Sequence, residues 1–169
     1  MATGSDIFPT MYPVAGFQLG TASAGIKTPG RSDLVLMAMA EGTTVAGVFT
    51  QNRFCAAPVT IAKRHLDCGQ PRFMLINTGN ANAGTGEQGI ADALKCCSAV
   101  ADKMDVQVDS ILPFSTGVIG ELLPVDRLCA GIPDAAQQLS EQGWEQAATG
   151  ILTTDTRPKG ASIQCDING

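Results

Sequence analysis

The chain has 169 residues, 44% of them hydrophobic, which is enough to bury one core and points to a single domain spanning 1–169. Eleven basic against sixteen acidic residues give a net charge of -5, with no basic run and no interleaving of aromatic and basic residues, so a nucleic-acid surface is not expected. The opening MATGSDIFPTMYPVAG lacks a basic n-region and an apolar h-region, and no apolar stretch nears the roughly 18 residues of a membrane span. A cytoplasmic protein without membrane contact is therefore expected. In that compartment the six cysteines (Cys55, Cys68, Cys96, Cys97, Cys129 and Cys165) read as reduced thiols. Cys96 and Cys97 are adjacent rather than spaced as CxxC, and His65 is the only histidine, so no metal site is expected.

In chain order, DLVLMAMA (33–40), the turn Glu41-Gly42 and TTVAGVFT (43–50) read as a β-hairpin rich in β-branched residues. A connector follows, and Pro58 then suits the first turn of a short helix, PVTIAKRHL, where its missing N–H costs nothing. RFMLIN (72–77) is the run of a strand covered on both faces. After a Gly/Asn loop, Ile90, Ala93, Leu94, Cys97, Val100, Ala101 and Met104 recur at helical spacing. DSILPFSTG predicts a short strand ending at a turn. From Pro124 a helix is expected, weakened near Gly131-Ile132-Pro133, and GWEQAATG (143–150) forms another. The tail ASIQCDI (161–167) alternates as a strand would, and Asn168-Gly169 is a hairpin-turn dipeptide that asks for a further partner strand.

Three stretches carry possible chemistry. NTGNANAGTGEQG (77–89) contains GxGxxG at Gly84, Gly86 and Gly89, lying between a strand and a helix as a dinucleotide cradle does. Yet Asn77 to Ala83 separate the motif from the strand, and no later strand ends in an acidic residue at the required distance. The same residues equally supply left-handed turns, or bring backbone N–H groups near a small ligand. In FSTGVIG (114–120), a Thr hydroxyl and an adjacent N–H can converge on one point, and Gly lets a substrate oxygen approach, as an oxyanion hole requires; a plain turn is the alternative. In GILTTDTRPKGA (150–161), Thr153, Thr154, Asp155 and Thr156 precede Arg157 and Lys159. These groups fit a polar ligand with a carboxylate, or a helix cap and two solvated cations. A Ser-His-Asp set would need His65, which a helical position beside Arg64 makes an exposed residue. Cys55 lies near His65 in sequence, but nothing else supports a Cys-His pair. From the residues alone this is half a site, with oxyanion donors and polar groups but no nucleophile and no base.

Taken in order, PVAGFQLGTASAGIK (13–27), GVFTQNRFCAAPV (47–59), NTGNANAGTG (77–86), PFSTGVIGELLP (113–124) and ILTTDTRPK (151–159) resemble the N-terminal half of the bacterial ornithine acetyltransferases, also called glutamate N-acetyltransferases, of arginine biosynthesis. The resemblance implies an α/β fold, with helices packed on mixed sheets as a sandwich of the ornithine acetyltransferase and DmpA type, completed by a second chain. Such proteins are made as precursors that cleave themselves before a Thr, giving α and β chains that stay together, usually as an α2β2 heterotetramer. The new N-terminal Thr of the β chain takes acetyl from N2-acetylornithine and passes it to glutamate in a ping-pong exchange. An α-amino group with a pKa of about 8 can serve as base for its own hydroxyl, so no cofactor is needed. Some members also acetylate glutamate from acetyl-CoA, and related enzymes hydrolyse peptides.

Carried over by motif, Thr116 (hydroxyl) and Gly117 (N–H) correspond to the oxyanion hole and Thr153 to a substrate-binding threonine, with Thr154 and Asp155 as its neighbours. The cleavage region, a Lys-Gly loop leading to Ala-Thr-Met-Leu, does not occur here, and Met1-Ala2-Thr3 matches it only superficially. The resemblance therefore puts the binding Lys and the nucleophilic Thr outside these residues. It implies an inert lone chain; separately, the tail strand's want of a partner predicts that the lone chain aggregates or folds only in part. A nucleotide-binding module built on the Gly-rich loop is the distant alternative.

Overall fold

Residues 7–26 and 28–167 are described by the computed structural model. Four strands lie side by side in chain order: β1 (Phe17–Ala22), β2 (Leu34–Met39), β3 (Phe73–Asn80) and β4 (Ile111–Val118). β1–β2 and β2–β3 are antiparallel, while β3–β4 is parallel. A parallel step needs a long crossover, supplied by α2 (Gly86–Met104). The remaining α-helices among the described residues are α1 (Ala57–Cys68), α3 (Val125–Gln137) and α4 (Trp144–Gly150). This is the expected α/β class, a mixed sheet packed with helices.

Strand alternation sorts the core into two layers. On β2, Leu34 and Leu36 face the main cluster, with Phe73 and Leu75 of β3, Ile61 of α1, Cys97 and Val100 of α2, and Leu128 and Ile132 of α3. Val35 and Met37 face the opposite side, where Leu19, Ala147 and Trp144 pack. Leu34, Val35 and Leu36 are all fully buried, which is why the central strand reads as an unbroken apolar run. Each such side chain contributes roughly 1.5–3 kcal/mol. The small residues permit close backbone approach. A Cβ on Gly20 of β1 would lie 2.0 Å from the Ala135 carbonyl oxygen of α3.

The helices follow their sequence signals, with shifted ends. Pro58 stands in the first turn of α1. α2 starts one turn before Ile90 and stops where Asp105 adopts a left-handed φ of 54° and returns its N–H to Ala101. α3 runs unbroken through Pro133 to Gln137. The lost N–H is outweighed because Ile132 and Ala135 are anchored in the core at 1% and 0% exposure.

Three expectations are overturned. Residues 43–50 form no strand. β2 pairs with β1 on one edge and β3 on the other, so no edge is left for a hairpin partner, and Val48 is 99% exposed. Residues 161–167 alternate but are not a strand; there Ser162 Oγ accepts a hydrogen bond from the Tyr12 N–H. Asn168 and Gly169, with the expected turn, lie outside the described residues, as do Met1-Ala2-Thr3. Finally, His65 is buried at 4% exposure, not solvated. It follows Ile61 by one turn on the inner face of α1, and its Nδ1 lies 2.7 Å from the Ile111 carbonyl oxygen. A carbonyl only accepts, so Nδ1 carries the proton.

Among the described residues no helix is long and apolar enough to cross a membrane. No group of three or more His, Cys, Asp or Glu side chains among them is placed to hold a metal ion.

Candidate functional site

The site forms where β3 and β4 run out side by side. In parallel register Asn77 stands opposite Ser115, Thr78 opposite Thr116 and Gly79 opposite Gly117. Alternation then sends Asn77 and Ser115 toward the layer of α2 and α3, and Thr78 and Thr116 toward the α4 side. The consequence is visible in the bonds. Ser115 Oγ donates to Asn77 Oδ1 at 2.6 Å, whereas Thr78 Oγ1 donates to the Gly150 carbonyl at the end of α4. Directly after this pair the ladder slips, with Asn80 paired to both Thr116 and Val118, a bulge in β3. Gly117 has φ 139°, and a Cβ there would sit 2.3 Å from the Gly79 carbonyl carbon and 2.5 Å from the Asn80 nitrogen. Glycine is thus required by the neighbouring strand, a stronger constraint than the substrate access inferred from the sequence.

The Gly/Asn loop does not begin at Asn77. Its first four residues, Asn77 to Asn80, belong to β3. Its three asparagines are buried at 4%, 2% and 0% exposure for Asn77, Asn80 and Asn82. Each engages both its amide oxygen and its amide nitrogen inside the protein. Asn77 Nδ2 donates to the Asn80 carbonyl. Asn80 Nδ2 donates to the carbonyls of Glu121 and Leu122 and Oδ1 accepts from the Asn82 N–H. Asn82 Nδ2 reaches the Gly89 carbonyl and Oδ1 accepts from Thr85 Oγ1. The backbone N–H of Ala81 goes to Val118 and that of Gly89 to Thr85. Gly84 and Gly86 turn the chain with φ 71° and 60°. The N–H groups of Ala81, Asn82 and Gly89 are thus used to close the loop, and the positive φ of Gly84 and Gly86 follows the turn reading of the motif.

Over the strand ends opens a cleft of about 420 Å³. Its floor is Thr78, Gly79, Thr116, Gly117 and Val118. One wall is the segment after α4, Leu152 to Thr154, and the other is the β1–β2 connection with Thr28, Arg31 and Asp33. The two walls are tied where Arg31 Nη2 donates to the Leu152 carbonyl. Asp33, buried at 4% exposure, accepts the N–H groups of Ala24 and Ile26 at 2.6 Å each, so its carboxylate braces its own connection. Among the described lining residues Arg31 is the one cation.

Of the residues singled out in the sequence, Thr116, Gly117, Thr153 and Thr154 come together here, brought from segments about 36 positions apart by the α4 turn. Asp155 does not line the cleft. Its carboxylate pairs with Lys159 at 2.5 Å, and that neighbour holds it below the usual carboxylate range. Thr28, Arg31, Asp33, Thr78 and Gly79 were not anticipated as lining. The first three arrive only through the β1–β2 pairing, which local sequence does not encode; Thr78 and Gly79 had a signal in the Gly/Asn loop. The cysteines stand apart from the cleft. Burial pushes Cys97 up to about 12, and burial with Cys129 alongside pushes Cys96 higher still.

With this geometry in hand, the chain can be set beside known proteins. The model of the ArgJ family matches residues 18–169. The arginine biosynthesis bifunctional protein ArgJ of Pseudomonas fluorescens (strain Pf0-1) is 57% identical over 169 residues, covering 100% of this chain and 42% of that protein. That of Methylococcus capsulatus is 57% identical over 165 residues, covering 98% and 40%. The chain therefore spans about two fifths of the length of the curated relatives it matches. Among solved structures, ornithine acetyltransferase complexed with ornithine from Mycobacterium tuberculosis superposes with a TM-score of 0.83 at 33% identity, covering 92% of this chain and 93% of that one. The arginine biosynthesis bifunctional protein argJ from Bacillus halodurans gives 0.76 at 32% identity, covering 84% and 74%.

Proposed function

The chain belongs to the ArgJ family, and on that premise we propose that it is the oxyanion-binding part of an acetyltransferase of arginine biosynthesis. The donor is N2-acetylornithine and the acceptor glutamate. The attacking hydroxyl is the N-terminal Thr of a β chain released from the same precursor, and the two chains assemble as α2β2. The observation that carries this reading is the end of β4. Thr116 and Gly117 lie side by side on the floor of a cleft whose facing wall holds Thr153 and Thr154.

When a hydroxyl adds to the acetyl carbonyl, the carbonyl oxygen becomes an anion. The Thr116 hydroxyl and the Gly117 N–H are donors carried on a paired strand, so they need little rearrangement as that charge develops. Thr153 holds the substrate against this floor, with Thr154 beside it. Asp155, turned to Lys159, braces the segment and touches no substrate. The Arg31 guanidinium supplies positive charge for a carboxylate, which both acetylornithine and glutamate carry. No cofactor takes part in this scheme.

The test is acetyl transfer from N2-acetylornithine to glutamate by the full-length protein, and by its Thr116→Ala variant. Loss of one oxyanion donor lowers kcat by about 10²–10³. An unchanged rate in the variant, or no transfer by the parent protein, would sink the proposal. The relatives bear the name of a bifunctional protein, which favours a second donor. The same assay with acetyl-CoA replacing acetylornithine distinguishes one activity from two.

A further inference from the structure

We propose that Asn77 is a positioning residue for the acetyl-transfer step: acting through Ser115 and the β3 bulge, it fixes where Thr116 and Gly117 meet the substrate carbonyl. The proposal rests on the oxyanion reading above and extends it to side chains that never touch substrate. Three observations carry it. First, Asn77 and Ser115 are paired across the parallel ladder and joined by a 2.6 Å hydrogen bond, one residue before Thr116. Second, Asn77 Nδ2 reaches the carbonyl of Asn80 at 2.8 Å. In a regular strand a residue three positions on lies about 10 Å away, so this bond exists only because β3 bulges, and it clamps the bulge that presses Gly79 against Gly117. Third, Asn77 is 4% exposed; its bond to Asn80 is buried and its bond to Ser115 partly so. A buried amide with both ends engaged is rigid and costly to disturb.

The chemistry needs that rigidity. Among the described residues β4 is the edge strand of the sheet, so within them its tip is paired on one side only. Thr116 must present its hydroxyl to the cleft while Ser115 is anchored on the opposite face. If the anchor is cut, the strand tip is free to move, and a displacement of about 1 Å at a reacting centre can cost about 10²-fold in rate.

The experiment uses the full-length protein and compares Asn77→Ala, Ser115→Ala and Thr116→Ala, singly and with Asn77→Ala and Thr116→Ala combined. Asn77→Ala is expected to lower kcat about 10- to 100-fold while KM changes less than about threefold. If it acts through the oxyanion donors, its effect must shrink at least about threefold once Thr116 is already alanine. A purely structural role predicts the same factor in both backgrounds, and that result overturns the proposal, as does a kcat within about twofold of the parent. Should Asn77→Ala fail to fold, Ser115→Ala cuts the same link with the loss of one hydroxyl and is held to the same criteria. Failure of the underlying reading looks different: Thr116→Ala alone would then keep the parental rate.

Discussion

Replacing Gly117 by alanine tests stability and chemistry at one atom. The added methyl carbon would stand 2.3 Å from the Gly79 carbonyl carbon, against an ordinary contact of 3.4–4 Å, and the backbone there has φ 139°. Relief requires β3 and β4 to part by about 1 Å at the bulge; overpacking of that kind costs about 1–3 kcal/mol, and the left-handed conformation about 1–3 kcal/mol more. A total of roughly 2–6 kcal/mol is a large share of the 5–15 kcal/mol that holds a typical domain together. Two other glycines separate the terms. At Gly20 a Cβ meets the Ala135 carbonyl oxygen at 2.0 Å without a left-handed φ, and at Gly120 φ is 82° with nothing within 4 Å. Denaturant unfolding of the full-length protein should rank Gly117→Ala as the most destabilised, with each of the others showing about one component. Acetyl-transfer assays should find a loss of about 10²-fold or more in kcat confined to Gly117→Ala. If Gly117→Ala unfolds no earlier than Gly120→Ala, or keeps its kcat, the close approach of the two strands does not set the site.

Arg31→Gln should raise KM for glutamate about tenfold and leave kcat within a few-fold, because one charge-assisted bond to a carboxylate is lost while the oxyanion donors stay; an unchanged KM would remove Arg31 from substrate binding. Brief alkylation of the native protein, read by mass spectrometry, should modify exposed Cys68 and Cys165 and spare buried Cys96 and Cys97, since the thiolate is the reactive form and burial raises both thiols. The same shift fixes a sign. A thiol whose folded pKa lies above its unfolded value of about 8.5 keeps its proton in the native state after the unfolded chain has lost it. The thiols' contribution to stability should therefore be flat below about pH 8.5 and fall as pH rises toward about 12, by roughly 1 kcal/mol per pH unit per thiol; rising stability over that window would contradict it. His65→Ala should cost about 2–4 kcal/mol in urea unfolding, because it leaves a cavity and strips the buried Ile111 carbonyl of its donor; a cost below about 0.5 kcal/mol would show that carbonyl satisfied by other means.

Much of the fold was legible because apolar spacing encodes faces. Ile90, Ala93, Cys97, Val100 and Ala101 drew α2, and the run Phe73 to Ile76 drew β3. Pairing was not legible. TTVAGVFT has the composition of a strand, yet a pattern of period two says which face is buried and nothing about which edge is vacant. Only the sheet order shows that β2 has none to offer. His65 was misplaced for a related reason: its neighbour Arg64 suggested solvent, while its spacing of four from Ile61 put it on the buried face.

The site divides the same way. Ser-Thr-Gly and Thr-Thr stood out as residue types, but the partners that give them geometry are remote, Asn77 being 38 positions from Ser115 and Arg31 121 from Leu152. The Gly/Asn stretch stands out in the sequence for its turns and backbone N–H groups, while the part its asparagine side chains play is not legible there. Asparagines in a loop suggest amides offered to a ligand, yet here all three amides face inward and hold the loop's own backbone. A Thr-Gly pair at a strand end is common and chemically idle. On the function proposed above it becomes a set of directed donors because a second strand runs parallel to it, places Gly79 against Gly117, and breaks its own ladder one residue later. The glycines allow the approach, the bulge turns the strand away, and the asparagine holds the turn. On that proposal, removing any of the three would leave the same hydroxyl and N–H present but no longer aimed at one oxygen.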